Sequence, residues 1–171
     1  RKDYTNQLAG DVQKYYDIIS QNNEQIQVIY KSELEQFSFF DLLNQNRKKD
    51  QVLTYTSSGV HRDDFIFNIN SRSLRKSGSQ GQQKTFIIAL KFAYFDLLKS
   101  ISNTLPLLLL DDIFDKLDND RVEQIIKILN HNQFGQIFIT DTSFQRIELI
   151  MNKVNIQCKY FMFNKKGIYE K

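Results

Sequence analysis

The 171-residue sequence has little cysteine, proline or glycine: it contains one, one and six of these residues respectively. A lone thiol, Cys158, excludes an internal disulfide framework and fits a reducing compartment. We expect it to fill a small space in the core on a strand. No apolar run reaches the roughly 18 to 20 residues that span a bilayer, and the first ten residues lack the apolar core of a signal peptide. The sequence therefore predicts a cytoplasmic protein without a membrane segment.

The charged residues are unevenly distributed, although the net charge is only +3. Residues 61–91 carry 6 basic and 2 acidic side chains, residues 96–150 carry 5 and 9, and residues 153–171 carry 5 and 1. Two basic zones therefore flank an acidic zone. This distribution suits a protein that meets phosphate with one surface and holds a cation with another, and it also suits ordinary solvated faces.

Hydrophobic periodicity predicts an α/β fold with a mostly parallel sheet flanked by helices and with β-hairpin additions. An apolar strand such as 105–110 is typical of one covered on both faces. The aromatic residues of the last hairpin run consecutively, so we expect them in the core and not on a base-stacking platform. The predicted elements are helices at 4–19, about 37–49, 85–99, 119–130 and 143–154, strands at 25–30, 105–110 and 136–140, a hairpin that starts at 65 and turns at 70–73 into a second short strand, and a hairpin at 159–170.

Two adjacent carboxylates, Asp111 and Asp112, follow the apolar stretch 107–110. Ligands of parallel sheets bind at the carboxyl ends of the strands. One carboxylate there can hold the water shell of Mg²⁺, and the other can orient or deprotonate the water that attacks a γ-phosphate. The residues alone leave open that the pair merely ends a strand and caps a turn.

Three further polar segments are predicted to converge with this pair on one rim of the sheet. Residues 78–83, Gly-Ser-Gln-Gly-Gln-Gln, directly precede an amphipathic helix, where backbone N–H groups favour phosphate. Residues 115–118 open the next helix, and residues 140–142 end the following strand.

The segment from Gly78 to Thr85 differs from a phosphate-binding P-loop by Gln83 in place of the final glycine. The tight loop needs that glycine, the preceding residues 73–77 are too polar for a buried strand, and a single helix separates the segment from the acid pair. We therefore expect the true P-loop upstream of Arg1.

The order of these segments resembles the ATP-binding cassette heads, and within them the RecF family. Residues 78–82 are similar to the signature motif, 107–112 to Walker B and 115–118 to the D-loop. Residues 59–64, Gly-Val-His-Arg-Asp-Asp, are similar to the Gly-Pro-His-Arg-Asp-Asp segment of RecF, with valine in place of proline. The likeness runs from about Tyr30 to Thr142.

The resemblance implies a site shared by two subunits. The signature residues Gly78, Ser79, Gly81 and Gln82 would close in trans over ATP held by the P-loop of the other subunit. The residues before Arg1 would supply that P-loop.

The resemblance also implies roles for the acidic residues. Asp111 would hold the Mg²⁺ shell, and Asp112 would stand where many relatives place a glutamate as hydrolytic base. Asp115 and Asp118 would belong to the D-loop. Because aspartate is one methylene shorter than glutamate, turnover should be slow. Asp141 is left out of the catalytic set, since an acid there would repel the γ-phosphate.

By resemblance, the chain is the C-terminal part of an ATP-dependent DNA-binding protein of recombination, repair, replication and the SOS response. Residues 1–22 would end an arm or lobe domain, and residues 23–171 would belong to the head. ATP would join two heads on duplex DNA near single-strand junctions, slow hydrolysis would release them, and recombination mediators would be partners. The 171 residues alone are expected to be inactive. The alternatives are a DNA-binding scaffold with a decayed ATP site and another SMC-like or transporter head.

Basic residues are the candidates for contacts with DNA. Arg72, Arg75 and Lys76 form one cluster, and residues 153, 159, 165 and 166 form a second, with ordinary solvation left open for both. For residues 61–64 we expect Arg62 to pair with Asp63 or Asp64 and lock a loop, in preference to direct chemistry.

Overall fold

A computed structural model describes residues 1–21, 24–102, 104–131, 134–155, 157–165 and 167–171. The chain forms two compact units, Arg1–Leu98 and Lys99–Lys171. The helices are α1 (Lys2–Ser20), α2 (Phe39–Leu53), α3 (Leu74–Ser77), α4 (Gln80–Ser102), α5 (Asn119–His131) and α6 (Phe144–Val154). The strands are β1 (Ile26–Lys31), β2 (Asp64–Ile69), β3 (Arg72–Ser73), β4 (Leu108–Leu110), β5 (Ile137–Ile139), β6 (Phe161–Asn164) and β7 (Gly167–Glu170).

The first unit contains an antiparallel sheet in the order β1-β2-β3. Ile26 pairs with Ile69 and Lys31 with Asp64, so β1 and β2 match along six residues. Asn70 and Ser71 both have positive φ, 47° and 62°, the conformation that a two-residue hairpin turn requires at its centre. The predicted hairpin is confirmed, but its turn is shorter than the predicted 70–73, because Arg72–Ser73 already form the second strand and α3 follows at Leu74.

The core of the first unit contains buried faces of α1 and α4. Tyr15 and Tyr16 of α1 and Phe92 of α4 are buried, and the Tyr15 and Phe92 rings lie 5.4 Å apart. The Tyr15 hydroxyl donates to Asp96 at 2.5 Å, so this polar atom has a partner where its ring is packed. Helix α1 also contacts β1.

The second unit contains the parallel pair β4-β5, with Leu108 opposite Ile137 and Leu110 opposite Ile139. Leu108 and Leu110 are buried, whereas Leu109 is 65% exposed. The prediction that this strand is covered on both faces is wrong. Successive side chains of a strand point to opposite faces, and only one face of β4 is covered within the structure as described.

The terminal hairpin β6-β7 is exposed, so its prediction as core is also wrong. Phe163 of β6 is 75% exposed and Ile168, which pairs with it from β7, is 64% exposed. Among the described strands, β6 and β7 pair only with each other, which leaves their faces without a covering layer. Cys158 is exposed and lies outside the strands, so its expected place in the core is wrong as well.

The predicted α/β class is confirmed, and its parallel component within the described ranges is the β4-β5 pair. The antiparallel pairs are the predicted hairpin additions. None of the helices that the structure describes is long and apolar enough to cross a membrane.

Asp63 anchors the segment that resembles Gly-Pro-His-Arg-Asp-Asp. Its side chain is 3% exposed, and it accepts hydrogen bonds from the Tyr30 hydroxyl and from Arg1 at 3.3 Å. The expected pairing of Arg62 with Asp63 or Asp64 is wrong, because Asp63 pairs with Arg1 and neither Arg62 nor Asp64 forms an ion pair among the described residues. The Arg62 guanidinium instead lies over the Tyr55 ring, 5.6 Å from its centre.

Hydrogen bonds from Ser32 and Tyr30, together with the positive charge of Arg1, hold the pKa of Asp63 below its usual range. A carboxylate with a lowered pKa in the folded state stabilises the fold when it is ionised. The segment is therefore tied to β1 by an ionised side chain.

Replacement of Asp63 by asparagine is expected to lower the free energy of unfolding at neutral pH. The contribution of the carboxylate is fully present above its unfolded pKa, near 3.8, and is lost as the pH falls through the lower folded value. Urea unfolding of wild type and Asp63→Asn at a series of pH values should give a stability difference that shrinks below about pH 4. The exposed neighbour Asp64→Asn is the control, and a difference that is the same at every pH would contradict the prediction.

Candidate functional site

The signature-like segment forms the start of α4. The backbone N–H of Ser79 donates to Gln82 Oε1 at 2.8 Å, and the N–H of Gln82 donates to Ser79 Oγ at 3.2 Å. This reciprocal arrangement is a capping box, with Ser79 at the N-cap position. It explains why the helix begins at Gln80, earlier than the predicted 85. Gly81 is the second residue of the helix, so the predicted position of this segment at a helix N-terminus is confirmed.

Two glutamine side chains connect the segment to its surroundings. Gln82 Nε2 donates to Glu24 Oε1 at 2.6 Å, and Glu24 Oε2 accepts from the Tyr16 hydroxyl of α1 at 2.7 Å. Gln83 Nε2 donates to the Gly78 carbonyl at 2.9 Å. The start of α4 is therefore held in one conformation by side chains from α1 and from the segment before β1.

Position 78 needs glycine because there is no room for a side chain. Its backbone conformation does not require glycine, since a φ of −73° suits any residue. An added Cβ would lie 2.6 Å from the Leu74 carbonyl oxygen and 2.9 Å from Leu74 Cδ1. The backbone of α3 thus passes too close to this position for any side chain.

The candidate DNA-binding residues Arg72, Arg75 and Lys76 are exposed on β3 and α3. In the part of the chain that the structure describes, none of the three takes part in an ion pair. Their charges are therefore available to phosphate.

The second predicted basic cluster is partly neutralised, since two of its lysines form ion pairs whereas Lys165 is exposed and forms none among the described residues. Lys153 pairs with Glu123, and Lys159 lies 3.0 Å from Glu170. Position 166 lies outside the described residues. The pairing makes this cluster the weaker candidate for phosphate contacts.

The acid pair in the second unit lies at the carboxyl end of β4, beside the end of β5. Thr140 Oγ1 donates to Asp111 Oδ1 at 2.5 Å and accepts from the backbone N–H of Asp112 at 3.0 Å. Both aspartates are exposed, and Asp112 has a left-handed backbone with φ 45° that ends the strand. The predicted meeting of the two strand ends is confirmed, whereas their convergence with residues 78–83 stays a prediction.

Asp141 has a local role at the start of α6. Its Oδ1 accepts from the backbone N–H of Ser143 at 2.6 Å, in the turn that leads into the helix. This contact accounts for an acidic residue next to Thr140 without assigning it any chemistry.

The D-loop-like segment is a tight turn between β4 and α5. Phe114 and Leu117 are buried, while Asp115 and Lys116 are exposed, and Lys116 has a φ of 61°. Asp118 accepts from the backbone N–H of Arg121 at 2.8 Å and so caps α5. The segment therefore presents Asp115 on a turn whose apolar residues are fixed in the core.

Arg146 of α6 supports the same turn and was missed by the sequence analysis. Its guanidinium donates to the carbonyl of Phe114 at 3.0 Å and to that of Leu117 at 2.6 Å. A basic residue that binds backbone carbonyls leaves no pattern in the sequence, because its partners are carbonyls that every residue has.

Mg²⁺ and a nucleotide fit the acidic edge only if other groups complete the site. The exposed Asp111 carboxylate is a hard oxygen donor of the kind that Mg²⁺ prefers. Within the described ranges, no group of three or more His, Cys, Asp or Glu side chains is arranged to hold a metal ion. A cation at Asp111 would therefore need further oxygens, which phosphate groups supply.

Comparison with known proteins gives the family. No protein-family model matches the chain. It is 45% identical over 170 residues to the DNA replication and repair protein RecF of Azobacteroides pseudotrichonymphae, which covers 99% of the chain and 46% of that protein. The chain belongs to the RecF family. It corresponds to the C-terminal part of its RecF relatives and spans less than half of their length.

Solved structures agree with this assignment. A structure of the recombination mediator protein RecF-ATPrS is similar to this RecF-family chain, with 26% sequence identity and a TM-score of 0.71. The match covers 98% of this chain and 44% of the chain in that structure. An SMC head bound to a winged-helix domain of ScpA matches 99% of the chain and 43% of its own. Its TM-score is 0.60 at 11% identity, a likeness of fold alone.

Gly78→Ala is expected to destabilise the protein by about 1 to 3 kcal/mol, the usual cost of forcing extra atoms into a packed site. Gly10→Ala is the matched control, because an added Cβ in the middle of α1 meets nothing within 4 Å. It should instead stabilise the helix by about 1 kcal/mol. Thermal or urea unfolding measures both variants, and equal effects would show that the close approach at Gly78 has no energetic weight.

Proposed function

We propose that the full-length protein is an ATP-dependent DNA-binding protein of recombinational repair and replication. In this proposal ATP joins two heads on DNA, and slow hydrolysis releases them to assist loading of a recombinase. The observation that carries it is the exposed acidic edge of Asp111, Asp112 and Thr140, in a chain that is 45% identical to a RecF protein over 99% of its length. One of the similar solved structures is of RecF-ATPrS, and this supports ATP as the ligand of the proposed site.

In the proposed mechanism, the capping box at the start of α4 presents the signature segment to the other subunit. The Ser79 hydroxyl, which accepts from the Gln82 N–H and keeps its own hydrogen to donate, and the N–H of Gly81 would face the γ-phosphate, where the positive end of a helix favours negative charge. Gly78 would keep the turn before the helix narrow. The hydrogen bond from Gln82 to Glu24 supports this role, since a fixed side chain loses little entropy on binding.

Asp111 would hold Mg²⁺ through its water shell, and Mg²⁺ would neutralise phosphate charge when bound. Asp112 would orient or deprotonate the attacking water. The N–H of Asp112 already binds Thr140, so the backbone of this residue is fixed relative to β5. Asp115 and Asp118 would contact the other subunit, with Arg146 holding their turn in shape.

For nucleic acid, we propose that Arg72, Arg75 and Lys76 contact the phosphates of duplex DNA near single-strand junctions. Their exposure without ion pairs among the described residues supports this choice over the partly neutralised cluster around Lys153. Recombination mediator proteins are the proposed protein partners.

Ser79→Arg in the full-length protein should leave ATP binding by one monomer intact and prevent ATP-driven dimerisation. The longer side chain removes the capping hydroxyl and fills the space in front of the helix N-terminus. Analytical ultracentrifugation with and without ATP measures the dimer. Gln51→Arg, which adds the same charge on the exposed surface of α2, is the control. Wild-type dimerisation by Ser79→Arg would exclude a trans role for this segment.

The 171 residues alone should release no phosphate from ATP above background. Their sequence contains no Gly-x-x-x-x-Gly-Lys-Ser/Thr segment, so half of the phosphate cradle is missing. In the full-length protein, Asp112→Asn should reduce turnover about 100-fold or more while ATP-driven dimers still form. Steady-state phosphate release measures both. Turnover by the isolated chain that Asp112→Asn abolishes would contradict the prediction.

A further inference from the structure

The loop between α2 and β2 is braced by polar contacts along its length. Asp50 of α2 accepts from both the N–H and the hydroxyl of Ser57, at 2.9 and 2.6 Å. Asn46 donates to the buried Ser58 hydroxyl at 3.0 Å, and a His61 ring nitrogen lies 2.9 Å from the Thr56 carbonyl oxygen. With the anchored Asp63 at its far end, the loop is fixed before any ligand arrives.

This fixed loop presents a cation on an aromatic ring. Arg62 is exposed, and its guanidinium lies over the ring of Tyr55, which is 54% exposed, with 5.6 Å between the guanidinium carbon and the ring centre. Within the described residues, no carboxylate forms an ion pair with Arg62. A guanidinium that lies over a ring without a carboxylate partner keeps N–H donors that suit phosphate oxygens.

The ring and the guanidinium line a groove of about 480 Å³, here called the Arg62 groove. Lys31, at the end of β1, and Lys49 of α2 contribute two further positive charges. Glu33 and Asp64 also line it, and Asp64 accepts from the backbone N–H of Phe65 at 2.8 Å. Three cations against two carboxylates give the lining residues a formal net charge of +1.

Charge near the groove extends along α2. Arg47 and Lys48 precede Lys49 on the same helix, and all three are exposed. Neighbouring positive charges raise the local potential and attract a polyanion more strongly than a single oxyanion.

We propose that the Arg62 groove binds single-stranded nucleic acid, with phosphates on Arg62, Lys49 and Lys31 and a base on Tyr55. Positive charge beside an exposed aromatic ring favours an unpaired strand, because a base can stack on the ring only when it is outside a duplex. The inference rests on the proposed function and adds a strand-specific site to it. This site is separate from the duplex contacts proposed for residues 72–76.

The test uses the full-length protein and two fluorescent probes, an oligothymidine strand and a duplex of the same length. Arg62→Gln/Lys49→Gln should weaken binding of the single strand about tenfold and reduce the slope of log K against log salt by about 1.4, or 0.7 for each phosphate contact. Duplex binding should change less than twofold. Tyr55→Leu should weaken single-strand binding about tenfold and leave the salt slope unchanged.

The matched control is Lys14→Gln/Lys91→Gln, which removes the same charge from exposed positions on α1 and α4 that do not line the groove. It should bind both probes within twofold of wild type. The replaced side chains are exposed, so melting temperatures should be unchanged. Acetylation of Lys49 in the wild-type protein should slow when the single strand is bound.

If the control variant and the groove variant lost single-strand affinity equally, the proposed site would be overturned, because the overall positive charge of the protein would then explain binding. Unchanged single-strand affinity of Tyr55→Leu, or equal loss of both probes by Arg62→Gln/Lys49→Gln, would overturn the assignment to an unpaired strand. In each of these cases the proposed function would still be supported if the wild-type protein binds duplex and dimerises with ATP. A wild-type protein that binds neither probe would instead show that the proposed function has failed.

Discussion

The hydroxyl of Thr140 determines the geometry of the acidic edge. It donates to the side chain of Asp111 and accepts from the backbone of Asp112, so one oxygen joins the two strand ends and both aspartates. A strand that ends in adjacent carboxylates would otherwise place two like charges on a loose turn. With the hydroxyl in place, the backbone turns at Asp112 and the segment towards Asp118 starts from a fixed point.

The first unit relies on a different kind of constraint, in which side chains cap and brace the backbone. Ser79 and Gln82 satisfy each other's N–H groups at the start of α4, and Glu24 connects them to α1. Asp63 fixes the loop before β2 in a similar way. In both places a polar side chain of one segment fixes the backbone of another, and the neighbouring groups that would meet a ligand are exposed. Rigid loops with exposed functional groups reduce the entropy lost on binding.

Local patterns in the sequence predicted the order of the main helices and strands, the parallel pair and a helix directly after residues 78–83, although that helix already begins at Gln80. These features depend on side-chain periodicity and capping, which are determined by residues close together in the sequence. The errors concern distant partners. Asp63 pairs with Arg1, not with the adjacent Arg62, and Leu109 is exposed although its strand is wholly apolar. No spacing rule predicts which of several cations reaches a carboxylate, or whether a second layer covers a sheet.

The turn supported by Arg146 bears on the order in which the second unit folds. Arg146 follows the carbonyls that it binds by 29 and 32 residues, and Thr140 follows the aspartates by 28 and 29. Forming contacts between residues this far apart in the chain costs conformational entropy, which the docking of β5 and α6 must offset. A chain emerging from a ribosome therefore cannot complete the acidic edge before Thr140 has been made, and the turn at Phe114 and Leu117 lacks its support until Arg146 follows.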